Sequence, residues 1–161
     1  MTARSEDFHG VWRLAEWSVH LGDGSTRQPF GGEVDGHILY TPEGWMSATL
    51  MVRDRPDFSE DRFALNALRR SIEEDPNFTP SAEDMEHLRS FYLAGHGYIA
   101  YSGPFDHDER RVHHRVRVSL APQWIGTTLS REYEFSANGA VLSLTADQGP
   151  FSDRLVWERM G

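Results

Sequence analysis

Along most of the chain apolar and polar side chains alternate with a period of two, in runs bounded by Gly, Pro, Asn and Asp. That is the pattern of strands with one face buried. Eight such runs can be drawn, near residues 10–19, 36–41, 45–52, 92–103, 110–120, 125–135, 140–146 and 153–159. The exception is the segment from about 53 to 91, between the third and fourth runs, where the period lengthens. Ser59 is a candidate N-cap, and Phe63, Ala64, Ala67, Leu68 and Ile72 share one helical face. Pro76 and Pro80 break that pattern, and Met85 and Leu88 lie one turn apart beyond them. Helices over about 59–72 and 81–90 are expected, either as a cover for apolar surface or as a lid across an opening.

Three hairpins can be registered. Asn138-Gly139 suits a two-residue type I′ turn. Pairing outward from it groups Leu129, Arg131, Tyr133 and Phe135 with Leu142, Leu144 and Ala146, and places Glu132 and Glu134 opposite Thr145 and Ser143. The apolar group marks the inner face, so Arg131 points inward. A turn at Asp108-Glu109 groups Ile99 and Tyr101 with Val112, His114, Val116, Val118 and Leu120, with Tyr101 and His114 as diagonal neighbours. His113, Arg115 and Arg117 take the wetter face, and His96 falls at the far end of its strand, facing out. A bulge would shift this register by one. Thr41-Pro42-Glu43-Gly44 suits a type I turn with a glycine bulge, which groups Ile38 and Tyr40 with Met46, Ala48 and Leu50; without the bulge the grouping flips.

Eight antiparallel strands with this alternation favour closure, because a barrel has no exposed edges. The expected fold is therefore all-β: one eight-stranded antiparallel barrel domain over residues 1–161, with the helical insertion between strands three and four. A barrel of that size is filled by side chains or leaves room for one small ligand.

Composition narrows the chemistry. The net charge of −9 argues against nucleic acid as a partner. No apolar run is long enough to span a bilayer, and Met1-Thr2-Ala3-Arg4-Ser5-Glu6-Asp7 does not read as a signal peptide, so a cytoplasmic location without membrane association is expected. All sixteen basic residues are Arg, and Cys is absent. Thiolate nucleophiles, disulfides, Cys-ligated metals and Schiff-base lysines, with pyridoxal phosphate chemistry, are thereby excluded. No GxGxxG, P-loop, GxSxG or HExxH pattern occurs. The eight His place no HxH or H-x₃-H pair on one face, so neither a metal site nor a cofactor is called for.

Several phrases together resemble the lipocalin-like domain family of bacterial proteins, within the calycin group. Gly10-Val11-Trp12 resembles the GxW signature of the first strand, and Leu155-Val156-Trp157-Glu158-Arg159 the last strand. Between them lie Gly36-His37-Ile38-Leu39-Tyr40-Thr41, Met46-Ser47-Ala48, Tyr98-Ile99-Ala100-Tyr101-Ser102-Gly103, Val112-His113-His114 and Pro122-Gln123-Trp124-Ile125-Gly126-Thr127. The resemblance runs from about residue 8 to 160. It implies a barrel sealed at one end by an Arg across the first-strand Trp, a cation–π contact, and a ligand cavity without a fixed reaction.

Within that frame Arg131 is the leading candidate, either as the anchor for a ligand carboxylate or enolate or as one half of a structural pair. His114 and Tyr101 are either a proton-transfer pair or a core His satisfied by a hydroxyl. Met46, Leu50, Tyr133 and Leu144 are expected among the cavity walls, with Trp124 and Trp45 either lining the mouth or packed in the core. Trp12 and Trp157 are expected to fill the closed end. Asp106-His107-Asp108-Glu109 reads as a solvated hairpin tip, and Arg110, Arg111, Arg115 and Arg117 as a solvated strand face. Two functions remain open: binding of a small hydrophobic molecule, or cofactor-independent isomerase, cyclase or hydratase/dehydratase chemistry on a hydrophobic carbonyl compound, as in secondary metabolism. For the second, His114, Tyr101 and Arg131 are the candidate catalytic residues. A homodimer through an outer face is compatible with either.

Overall fold

The alternating runs form strands that pair in sequence order and close on themselves. The computed structural model describes residues 3–31, 33–57 and 62–161. The strands are β1 Gly10–Leu21, β2 Thr26–Arg27, β3 Val34–Tyr40, β4 Trp45–Val52, β5 Tyr98–His107, β6 Arg111–Arg115, β7 Val118–Ser119, β8 Thr128–Phe135, β9 Val141–Asp147 and β10 Phe151–Arg159. Eight of them make the expected antiparallel barrel in the order β10-β9-β8-β6-β5-β4-β3-β1, closed by pairing of β1 with β10. The two-residue β2 and β7 attach to β1 and β5. The helices are α1 Ser5–Phe8, α2 Arg62–Glu74 and α3 Ala82–His96. Contacts divide the chain into two units: Met1–Arg53 with Tyr98–Gly161, which is the barrel, and Asp54–Gly97, which is helical.

The helical insertion follows the fourth strand rather than the third, because Thr26–Arg27 forms a short strand of its own. α3 opens on a capping box in which Asp84 N–H donates to Ser81 Oγ and Ser81 N–H donates to the Asp84 carboxylate. It runs on to His96, so residues 92–96 are helix and not the start of a strand. Phe91-Tyr92-Leu93 is an apolar run with no period to separate the two states. His96 accordingly closes a helix instead of facing outward from a strand. On α2 Leu68 is buried while Phe63 and Ile72 are exposed; Ser59 lies outside the described residues.

The register of the hairpin between β3 and β4 is as expected. Tyr40 pairs with Met46 and Ile38 with Ala48, and Gly44 has the left-handed φ of 80° that the bulge needs. In the hairpin between β8 and β9 the register also holds, with Phe135 opposite Leu142 and Tyr133 opposite Leu144. The turn is not type I′, however: only Gly139 has positive φ, and Ser136 Oγ and the Asn138 side chain complete the loop by hydrogen bonds. Between β5 and β6 the turn is displaced by one residue to Glu109-Arg110, closed by Asp108 N–H on the Arg111 carbonyl. Phe105 therefore faces His114. This displacement moves the pairing by an even step, so Tyr101 and His114 stay on the inner face.

Two bulges alter which side chains point inward. Between Leu14 and Glu16 the register with β10 shifts, so that Trp17 follows Leu14 to the inside. After Val116 the strand breaks, and β7 re-pairs with Tyr101 opposite Ser119. Val118 and Leu120, expected on the inner face, are exposed as a result. Gly103 makes this break possible, because a Cβ there would lie 1.9 Å from the Arg115 carbonyl oxygen.

One end of the barrel is sealed by its termini. The Arg159 guanidinium sits 4.1 Å from the centre of the Trp12 ring. It also donates to the carbonyls of His9 at 2.6 Å, Asp7 at 2.6 Å and Gly139 at 3.2 Å. Trp12 Nε1 donates to the Phe8 carbonyl at 2.8 Å. These bonds fix α1 so that Phe8 is fully buried among Tyr40, Phe105, Tyr133 and Phe135.

Gly103→Ala sets a methyl group against backbone that cannot move without unpairing β6. The expected loss is about 3 kcal/mol or failure to fold. Urea unfolding beside Gly139→Ala, where nothing lies within 4 Å of the added carbon and only the φ is strained, separates the clash from loss of a glycine.

Candidate functional site

The aromatic plug occupies one half of the barrel, and each long strand passes from plug to cavity. β3 gives Tyr40 to the plug and Ile38 to the cavity, β8 gives Phe135 and then Arg131, and β1 gives Trp12 and then Trp17. The cavity holds about 170 Å³. Its apolar wall includes Ile38, Leu50, Ile99, Leu144 and Leu155, with the rings of Trp17, Trp124 and Trp157. Four polar side chains reach it: Tyr101, Arg131, Gln148 and Asp153.

His114 lies where plug meets cavity and is fully buried. Its Nε2 is 2.8 Å from Tyr40 Oη and its Nδ1 is 3.1 Å from Tyr101 Oη. A neutral imidazole has one donor and one acceptor nitrogen. Neither tyrosine hydroxyl has a second acceptor among the described residues, but only Tyr101 lines the cavity, so the tautomer that leaves no enclosed hydroxyl unpaired has Tyr40 donating to Nε2 and the His114 proton on Nδ1. Nδ1–H then donates to Tyr101 Oη, and the Tyr101 hydroxyl keeps its own proton for the cavity that it lines. Trp124 stands edge-on to the Tyr101 ring, with centres 5.9 Å apart.

Arg131 is half-buried, and its Nη1 donates to the Ser130 carbonyl at 3.0 Å. No Asp or Glu oxygen of the described residues comes within 4.0 Å of it. Asp153 accepts from Trp17 Nε1 at 3.0 Å. The Trp157 indole N–H is buried with no acceptor among the described residues, a cost of about 1–3 kcal/mol.

The model of the lipocalin-like domain matches residues 9–160. The chain belongs to this lipocalin-like domain family. Among solved structures the barrel is similar to a de novo designed fluorescence-activating β-barrel, with 8% identity and a TM-score of 0.43 over 99% of this chain and 100% of that one. None of the curated proteins matches the chain.

Of the residues anticipated from the sequence, Leu50, Tyr101, Trp124, Arg131 and Leu144 line the cavity of this lipocalin-like barrel. Met46 and Tyr133 do not: Met46 is core opposite Tyr40, and Tyr133 packs on Phe8 and donates to the Asp108 carbonyl. His114 touches the cavity only through Tyr101. Trp157, expected to fill the closed end with Trp12, is a cavity wall instead, and Trp45 is exposed at its turn. Trp17 and Asp153 were not anticipated. The β1 bulge that turns Trp17 inward has no sequence signal, whereas Asp153, Leu155 and Trp157 show the alternation that could have revealed them.

On the outer surface the basic strand face is ion-paired, Arg110 and Arg111 with Glu132 and Arg115 with Asp106. Asp108 accepts from the Arg110 and Arg111 backbone N–H groups and bonds His113, which takes its carboxyl down to about 2. It thus closes its own turn. Among the described residues no three His, Asp or Glu side chains are grouped to hold a metal ion, and no helix is long and apolar enough to cross a membrane.

Burial, with the Arg131 and then the His113 charge, pushes the pKa of His114 down to about 3. Burial raises both tyrosines, Tyr40 well above the ordinary phenol value with help from Tyr101; the Arg131 charge opposes both rises. The folded protein therefore keeps His114 neutral, while the unfolded chain takes up its proton near pH 6.5. Stability from this group is full above pH 6.5 and falls as the pH drops towards 3. Between pH 6.5 and 5 the expected loss is roughly 2 kcal/mol. Urea unfolding at pH 7.5, 6 and 5 should show that acid limb in the wild type and its flattening in His114→Gln; equal slopes would assign it to other groups.

Proposed function

We propose that this lipocalin-like protein binds a small, largely apolar molecule in the barrel, held by a carboxylate or enolate oxygen on Arg131. The observation that carries the reading is a guanidinium among apolar walls without an ion-pair partner among the described residues. A cation in low dielectric is costly unless an anion or strong acceptor meets it. The size supports a single-ring compound, since a cavity of about 150 Å³ takes up benzene. Tyr101, with its hydroxyl proton free, is the second donor to the same oxygen-rich end, and Leu50, Trp124 and Leu144 bound the apolar remainder.

Turnover of the bound compound is the second reading, favoured by one observation: the Tyr101 hydroxyl is held in place from behind by His114. Isomerisation, cyclisation or loss or gain of water next to a carbonyl needs an enolate-like charge stabilised, which Tyr101 and Arg131 could supply without a cofactor. His114, with its conjugate acid near 3, is a poor proton acceptor at neutral pH. It serves this reading by positioning Tyr101.

Three tryptophans in the wall provide the readout for binding. Quenching by benzoate and larger aromatic carboxylates should saturate in the wild type. Arg131→Met should weaken the best of them by about 2–4 kcal/mol, or roughly 30- to 1000-fold. If Arg131→Met folds and binds equally well, the anchor lies elsewhere. For turnover, a hydrophobic carbonyl substrate converted by the wild type should lose at least about a hundredfold in kcat with Tyr101→Phe. An unchanged kcat would leave enclosure alone as the catalyst.

A further inference from the structure

Arg131 does not face the cavity as its only charge. Asp153 lines the same cavity, and the two are not within ion-pair distance of each other. Their places in the sheet explain both facts. Asp153 on β10 pairs with Ala146 on β9. The register between β8 and β9 sets Glu132 opposite Thr145, and one further step sets Arg131 beside Ala146. Arg131 and Asp153 therefore flank one small buried residue from either side, two strand spacings or roughly 10 Å apart at the backbone.

Each charge is otherwise under-used. Among the described residues Arg131 donates only to the carbonyl of the residue before it, and Asp153 accepts only from the Trp17 indole. Opposite charges held apart in an apolar enclosure do little for stability, and hydrophobic side chains would serve the fold as well or better. An unpaired cation beside an unpaired anion is the complement of a ligand that carries both an acceptor and a donor.

Building on the binding reading above, we propose that Asp153 is a specificity-determining residue and that the cavity selects flat apolar molecules polar at both ends. A carboxylate or enolate meets Arg131, and a hydroxyl or amine donates to Asp153. Hydroxylated aromatic acids and hydroxy-carbonyl compounds have this chemistry; fatty acids and plain hydrocarbons do not.

Matched probes test the assignment by tryptophan quenching. The 3- and 4-hydroxybenzoates are compared with the 3- and 4-methylbenzoates, which have nearly the same shape but no O–H. At least one hydroxy isomer should bind the wild type about tenfold or more tightly than its methyl counterpart. Asp153→Asn keeps an acceptor for Trp17 and should reduce that preference to less than about threefold. Arg131→Met should weaken both members of the pair and leave their ratio unchanged. The matching methoxybenzoate, which has no proton to give, should behave like the methyl compound in the wild type, and this arm needs no variant to fold. If all the carboxylates bind without a hydroxyl preference, or the preference survives in Asp153→Asn, the role of Asp153 is overturned while the binding reading stands. If no probe binds the wild type, both fall together.

Discussion

The barrel depends on one cation placed over one ring. Arg159, at the end of β10, covers Trp12 at the start of β1, and these are the two strands whose pairing closes the sheet. The cation–π contact alone amounts to about 0.5–2 kcal/mol. Its wider effect comes from the three carbonyls the same guanidinium binds, two of them at and just beyond the end of α1. They tie the short helix to the seam and drive Phe8 into the barrel. Gly10 belongs to this arrangement: its φ of +124° turns the chain from α1 into β1, and a side chain there would press on Arg159. Once Phe8 and its aromatic neighbours fill that half, space remains only in the other half. The seal and the cavity are two results of one closure.

A histidine at the boundary is an unusual choice for a core position, and its bonds explain it. A Phe in place of His114 would leave the hydroxyls of Tyr40 and Tyr101 without partners in an apolar region. With the imidazole between them, Tyr40 is satisfied and the Tyr101 oxygen is held by a proton that does not compete with its own. The Arg131 charge nearby is among the causes that keep the imidazole neutral. One cation at the cavity thus opposes the formation of a second one behind it.

The fold was legible wherever a glycine fixed a turn. Gly44 and Gly139 set two registers, and the inner faces built on Met46, Ala48, Leu142 and Leu144 follow from them. At Asp108 the turn moved, yet by an even step that preserved the faces. The bulges were not legible, because a single unpaired residue leaves no mark in composition while it reverses every later side chain. That is why Trp17 was missed and why Val118 and Leu120 were expected inside. Residues 92–96 failed for another reason: an apolar run gives no period, and the capping box that extends α3 lies a full helix length upstream. Arg131 was legible because it stood alone among apolar partners on a face that its hairpin had already determined. Asp153 was missed although its alternation with Leu155 and Trp157 marks the inner face of β10.

The departures from ordinary packing are not scattered through the barrel. The plug obeys the usual rules: its rings meet edge to face or tilted, and its one indole N–H has an acceptor. Among the described residues the cavity half contains the indole N–H of Trp157 with no acceptor, a guanidinium with no carboxylate, and a carboxylate with no cation. The local rules are met in the plug half, and the exceptions cluster in the cavity half. Filling it with leucines would satisfy the same sheet, the same seal and the same turns. What it would remove is the set of polar groups that a chemically specific guest could meet.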